Sequence, residues 1–335
     1  MTPTTDDTIW RQRVTDSWTA LVKNARIPTP RGVRVHEPGR ARVVFAWPLS
    51  QVLHSGVIID AAGIDMTALG PDEVWQSFRR YRRRDGFVDI PLVGHRYYDD
   101  NAWIGLACAQ RSLWVGPPQN QTWLIRAEAS MRFVAQAVRA DGGVLWVEGG
   151  TNLHACSTGS AGLLAHVTAE AAGRSSAWRG IARNATQFLD ATLIRSDELV
   201  ADNISATGQI DPAVFTYNQG LTIQLRISQG DLDGATRLAE ATAREFDTEK
   251  FYAHIASFNA IYCRALLRLS HETGDEQWRE FVVQYLDEVW NKGRDKRGLF
   301  TNVGKYDKGI VLDHAALVGA MAAMCLTPDR LQQLA

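Results

Sequence analysis

Asp99 and Asp100 are adjacent carboxylates, preceded by Tyr97 and Tyr98 and followed three residues later by Trp103. The small, apolar run Ala102–Ala109 comes next and reads as a buried helix, which places both aspartates at its start. A helix N-terminus favours negative charge through its free N–H groups and its dipole. The plain reading is therefore a cap with a dipole partner. Capping, however, uses one short polar residue, and here two carboxylates are enclosed by aromatic rings. Desolvation between flat walls and repulsion between like charges push two such pKa values apart, leaving one group ionised and one protonated. That division suits cleavage of a glycosidic bond by a carboxylate pair. Consecutive helical side chains diverge by roughly 100°, yet both can border one pocket, at about the 5–5.5 Å that retaining glycosidases use.

Helical periodicity must supply the frame that positions this pair. About a dozen segments carry it: Asp6–Asn24, Trp47–Ile58, Pro71–Arg83, Asp99–Trp114, Thr122–Arg139, Asn152–Ala172, Ser176–Ile194, Tyr217–Ser228, Asp231–Phe246, Phe258–His271, Glu276–Asn291 and Leu312–Cys325. Strand signals are short and scattered, at Arg42–Phe45 and Gly143–Val147. No strand–helix alternation occurs, which argues against a parallel sheet. Glycine-rich connections recur, and no Pro- or Ser-rich linker divides the chain. The expectation is an all-α protein, residues 1–335 in one domain, built as a closed ring of antiparallel helix pairs.

Composition narrows the class. The 335 residues are 45% hydrophobic and 22% charged, with a net charge of -1, ordinary for a soluble globular chain. This balance gives no electrostatic case for nucleic acid or another polyanion. One basic cluster stands out, Arg79-Arg80-Tyr81-Arg82-Arg83-Arg84. It reads as a solvated helix face or turn, with docking to something acidic as the alternative. The four cysteines, Cys108, Cys156, Cys263 and Cys325, are far apart and form no C-x-x-C, as expected of buried free thiols in a reducing compartment. The N-terminal residues are polar and acidic rather than leader-like, and no run reaches the ~18 apolar residues of a membrane span. A cytoplasmic protein is the expectation. The sequence contains no H-E-x-x-H, G-x-S-x-G or G-x-x-x-x-G-K, and Trp103 stands where a D-D-x-x-D magnesium motif would need its third aspartate.

Four blocks resemble a known family. Tyr-Tyr-Asp-Asp-Asn-Ala-Trp at 97–103 is similar to the Y-D-D-x-A-W signature of glycoside hydrolase family 76, the α-1,6-mannanases. Phe215-Thr216-Tyr217-Asn218-Gln219-Gly220 resembles its Y-T-Y-N-Q-G block. Gly142–Trp146 resembles its G-G-x-W-W, followed by Thr151-Asn152 in place of K-N. Ile261–Arg264 is nearer to its I-F-x-R. The resemblance implies an (α/α)6 barrel of about twelve helices and endo-acting, retaining cleavage of α-1,6-linked mannose chains, with neither metal nor other cofactor. By position it makes Asp99 the nucleophile and Asp100 the general acid/base. It implies sugar contacts at Tyr98, Tyr217, Asn218 and Gln219, whose hydroxyls and amides suit sugar hydroxyls. Without the resemblance, Tyr217–Gln219 reads as an ordinary helix start. Trp103 and Trp146 read either as stacking platforms for a pyranose or as core. Asn152 and Arg264 are further contacts, with Arg264 alternatively closing an internal ion pair. His54 and His95 read as structural donors.

The sequence departs from the family at Leu145, Thr151, Asn259 and Ala260. These departures are expected to touch substrate subsites rather than the aspartate pair. They also motivate a second reading, a sugar-binding barrel that has lost turnover. A third, an epimerase on the same barrel, would need paired histidines, for which no motif is found.

Overall fold

The computed structural model describes residues 5–30, 32–173, 176–304 and 309–335, so the stretch Met1–Thr4 on which the leader argument partly rests lies outside the described residues. Among those described, the chain forms fourteen α-helices: α1 (Thr5–Ala25), α2 (Ala46–Ala61), α3 (Pro71–Ser77), α4 (Tyr98–Trp114), α5 (Gln119–Ala135), α6 (Ala155–Ala171), α7 (Ser176–Phe188), α8 (Thr216–Ser228), α9 (Leu232–Glu245), α10 (Thr248–Ala253), α11 (Ala256–Thr273), α12 (Gln277–Lys292), α13 (Ile310–Ala323) and α14 (Pro328–Gln332). Helices α2, α4, α6, α8, α11 and α13 each pack on the next, and α13 closes on α2. Outside this ring, α1, α3 and α12 each back one inner helix, and α5, α7 and α9 each lie against two. The result is the expected (α/α)6 barrel.

Why these segments sort into two layers follows from their faces. Inner helices are buried nearly all round; α13 buries Val311–Ala323 without a break, and α2 buries every residue but Asp60. Outer helices bury one stripe, such as Ala235, Leu238, Ala239 and Thr242 of α9. Close packing between the layers and within the inner ring needs missing side chains at the contacts. A Cβ on Gly105 would lie 2.6 Å from the Ser130 Cβ, and one on Gly220 would lie 2.9 Å from the Tyr262 backbone.

The twelve predicted segments all correspond to helices, with four adjustments, the first being that Thr122–Arg139 starts earlier, at Gln119, and ends at Ala135. Pro71–Arg83 stops being α-helical at Ser77, passes through a 3-10 turn at Phe78–Arg80, and enters a hairpin of β3 (Arg82–Arg83) and β4 (Gly86–Phe87). Helix α6 starts at Ala155 rather than Asn152, because Leu153 and His154 are drawn into β5 (Leu153–His154), which pairs with β6 (Asn203–Ile204). The segment from Ser176 finishes as a π-turn over Leu189–Leu193. Helices α10 and α14 are too short to show a period. The strands, including β1 (Arg26–Thr29), β2 (Gly32–Val35) and β7 (Ile210–Asp211), are all antiparallel. The two predicted strand stretches appear only as isolated bridges, such as Val43 with His36 and Val144 with Val138. All four cysteines are free and buried. No helix among the described residues is long and apolar enough to cross a membrane.

Candidate active site

Five inner helices start at one cavity. Their N-cap residues are Phe45, Tyr97, His154, Phe215 and Ile255, and none makes a side-chain cap hydrogen bond. All five line a cavity of about 280 Å³. Each helix start therefore turns the positive end of its dipole toward this end of the barrel, with first N–H groups met by neighbouring carbonyls, as Ala46 by Asp89 and Ala155 by Asp202. The lining carries four carboxylates, Asp89, Asp99, Asp100 and Asp202, and neither lysine nor arginine. Helix ends supply the positive potential that cationic side chains do not.

The first turn of α4 is held from three sides. Asn101 turns its amide inward, donating to the Phe87 and Tyr97 carbonyls and accepting from the Phe87 N–H. The Tyr98 N–H donates to the Trp146 carbonyl at 2.8 Å, and the Glu148 N–H to the Arg96 carbonyl at 3.0 Å. Behind the turn, Tyr98 stacks on Phe133, and the Arg96 guanidinium lies over the other ring at 4.8 Å while pairing with Glu148 and Asp85. The rear bracing leaves Asp99 and Asp100 facing the cavity.

Donors converge on Asp99. Its Oδ1 accepts from the Asp100 N–H at 2.9 Å; its Oδ2 accepts from the Trp146 indole N–H at 3.0 Å and from the Cys156 thiol at 3.4 Å. Burial pushes the Asp99 carboxyl above its usual range, and the three donors pull against that rise. Burial, with Asp99 and Asp202 nearby, drives the Cys156 thiol strongly upward, so it stays protonated and able to donate. The Tyr217 hydroxyl, likewise held protonated by burial, contacts Cys156 in turn. Tyr217 stacks on Phe258 with ring centroids 4.0 Å apart, forming an aromatic wall with Trp47.

Asp202 occupies another wall, fixed by amides. Asn218 donates to its Oδ1 at 3.2 Å and Asn203 to its Oδ2 at 2.9 Å. His154 brings Nδ1 to 3.8 Å from Oδ2 and stacks on Trp146 at 4.8 Å. Burial holds the imidazole below its ordinary pKa against the opposing pull of Asp202 and Asp211, so the ring is neutral near pH 7.

The structure sorts the sequence-predicted residues. Asp99, Asp100, Trp103, Trp146 and Tyr217 line the cavity. Tyr98 does not: it is turned onto Phe133, and Tyr97 takes the cavity position. Asn218 acts one step back, through Asp202. Gln219 is spent on the fold, accepting from the Val200 N–H and donating to the Val200 and Phe215 carbonyls. Asn152 sits on an exposed loop, where its carbonyl accepts from the Trp146 N–H. Arg264 is 1% exposed in the barrel interior, away from the cavity lining, beside Trp103, Leu163 and Leu221. Among the described residues its guanidinium has no hydrogen-bond partner, so the ion-pair alternative is not realised there either. His54 is fully buried and, among the described residues, finds no hydrogen-bond partner for either ring nitrogen, contrary to its reading as a donor.

The departures from the family pattern also lie off the lining. Leu145 packs against the core, Thr151 is exposed, and Ala260 is core. Asn259 bonds Thr216, Tyr285 and the Phe251 carbonyl. None of the four lines the cavity: Leu145, Asn259 and Ala260 belong to the scaffold around it, and Thr151 faces solvent. Residues the motifs missed are His154, Cys156, Asp202 and the aromatic N-caps. A signal for the N-caps exists in the sequence, since aromatic residues stand where Ser, Thr, Asp or Asn would usually start a helix. Asp202 had none. Among the described residues, no three His, Cys, Asp or Glu side chains converge in the manner of a metal site.

Comparison with known proteins agrees with this geometry. Residues 79–228 match the sequence profile of glycosyl hydrolase family 76, a span holding the aspartate pair, Trp146 and Tyr217. No curated protein sequence matches the chain. Among solved structures, a family 76 mannosidase from Bacteroides thetaiotaomicron superposes with a TM-score of 0.82 at 19% identity, covering 95% of this chain and 98% of that one. An α-1,6-mannanase from Salegentibacter gives 0.78 at 19% identity, covering 94% and 99%. An inactive variant of that enzyme, with two consecutive aspartates replaced by alanine, is known in complex with α-1,6-mannotetrose. A D-mannose isomerase also shares the fold, with a TM-score of 0.71 at 14% identity over 96% of this chain and 99% of that one. At these identities the structural likeness establishes the fold. Together with the profile match, it confirms the resemblance to family 76.

Proposed function

We infer, from a family 76 signature carried on a family 76 fold, that this chain is a retaining glycoside hydrolase of α-1,6-linked mannose chains. The observation that carries the reading is the pairing of Asp99 with Asp100 in one aromatic-walled cavity, with three donors aimed at Asp99. Two further facts support it. The Salegentibacter mannanase is inactive without two consecutive aspartates, and the cavity lining carries one histidine rather than the pair an epimerase would use.

The chemistry is double displacement. Asp99, its carboxyl pKa raised by burial and drawn back by three donors, attacks the anomeric carbon in its ionised form as Asp100 gives its proton to the departing glycosidic oxygen. Water then attacks the glycosyl–aspartate ester while Asp100 takes back a proton, releasing the sugar with retained configuration. Trp146 and Cys156 hold Asp99 in orientation. Trp103 and the Tyr217–Phe258 wall offer flat apolar surface to a pyranose. Asp202, braced by two amides, accepts from sugar hydroxyls.

Mass spectrometry of products from a panel of linkage-defined manno-oligosaccharides tests the assignment. Cleavage confined to α-1,6 linkages, with the first-formed anomer retained by NMR, is the expected result. Cleavage of another linkage, inversion, or tight binding without product on every member would overturn it.

A further inference from the structure

We propose that the arginine groove beside the active-site loop docks this chain onto an anionic lipid surface. The net charge of -1 conceals a local segregation of charge. Arg79, Arg80 and Arg82 line a groove of about 800 Å³ together with Arg34. The β3–β4 turn then carries Arg83 and Arg84 over its edge into a second, smaller polar hollow. None of these six makes an ion pair with a carboxylate among the described residues, whereas nearby Arg96 is paired twice. Six arginines held at a surface with no carboxylate at ion-pair distance among the described residues, Glu148 of the smaller hollow being taken by Arg96, repel one another, and the arrangement is relieved by an extended negative partner.

The groove has an apolar margin that charge alone does not explain. Leu92 is 74% exposed and Val93 79%, with Ile90 beside them. Leu92 lines the groove and holds φ at 77°, a conformation that leucine rarely adopts. Scattered exposed leucines are ordinary, but three large apolar residues within four positions, bordering six unpaired arginines, are not scattered. Apolar side chains next to a basic patch match the headgroup boundary of an anionic bilayer, where burial and charge act together. A soluble polyanion would use the arginines and leave Leu92 and Val93 in water.

The loop is also placed to make docking useful. It is closed at its base by Asp89, whose N–H donates to the His95 carbonyl at 2.8 Å and whose Oδ1 accepts from the His95 N–H at 2.7 Å. Asp89 lines the catalytic cavity. A chain seated by Leu92 and Val93 thus holds its cavity beside the surface, where a lipid-anchored glycan would be presented.

Flotation of the full chain with vesicles tests this without reference to turnover. Vesicles of phosphatidylcholine and phosphatidylglycerol in equal parts should bind it at least about tenfold better than phosphatidylcholine alone, since each arginine near such a surface contributes about fivefold. The triple variant R82Q/R83Q/R84Q and the double variant Leu92→Ser, Val93→Ser should each lose most of that binding. Both should keep wild-type melting and wild-type cleavage of a soluble manno-oligosaccharide. Absence of flotation with the anionic vesicles overturns the proposal. So does arginine-dependent binding to soluble dextran sulfate or a short RNA as tight as to vesicles and indifferent to the Leu92 and Val93 changes.

Discussion

Helices α4 and α8 start in the same way and use their first turns differently. Each opens on an aromatic N-cap facing the cavity, Tyr97 or Phe215, and each follows with a run of polar residues. In α4 the carboxylates of Asp99 and Asp100 face the cavity while the Asn101 amide turns back to clamp β4. In α8 only Tyr217 faces the cavity, and the amides of Asn218 and Gln219 turn back. The difference is chemical. An amide both donates and accepts, so Asn101 and Gln219 can satisfy backbone groups on both sides; a carboxylate only accepts and has to be met by donors, as Asp99 is. A motif of consecutive polar residues is therefore part reagent and part scaffold, divided by what each group can satisfy.

Four experiments would break or sharpen that division. The largest effect is expected for Asp99→Asn and Asp100→Asn. Each should lower kcat/KM on an α-1,6-manno-oligosaccharide by about 10³ or more, with melting unchanged or raised, since each removes a partly buried charge. Normal turnover in both would place the chemistry elsewhere. Gln219→Ala should act in the opposite currency: loss of three buried hydrogen bonds costs about 2–4 kcal/mol of stability by denaturant titration, with KM nearly unchanged at temperatures where the variant is folded.

Trp146→Phe comes next. It removes a donor to ionised Asp99, and a lost hydrogen bond to the charged form raises a carboxyl pKa. The acid limb of kcat/KM should move to higher pH than in the wild type, with about a tenfold loss at the acid end and a smaller one at neutral pH. A pH profile that keeps its shape would show that the indole only packs. The smallest effect is expected for Tyr98→Phe, within about twofold in kcat/KM, because its ring serves the Phe133 stack and not the cavity. A large rise in KM there would return Tyr98 to the sugar.

Legibility in the sequence followed the same line. The outer helices were legible because one buried stripe imposes a period over ten or more residues, and the inner ones because their apolar runs are too long for a strand. The hairpins and helix α10 were not, since two to six residues carry no period; β3–β4 was hidden inside a run of arginines that reads as helix surface. Asp99 and Asp100 stood out as adjacent acids among aromatics. His154 and Cys156 did not, because a lone histidine and a lone cysteine at a helix start look like packing.

What the chain determined by itself was local: which segments are helices, which of them are apolar enough to be inner, and which turn holds two neighbouring acids. Those properties depend on residues a few positions apart. Only the closed ring decided the rest. It brought Cys156 and Trp146 to Asp99 from 57 and 47 residues away, aimed Tyr97 rather than Tyr98 at the cavity, and drew Asp202 into its wall. The physical reason is that side-chain direction at a helix start depends on which neighbours satisfy the groups behind it, and those neighbours are set by how the barrel closes.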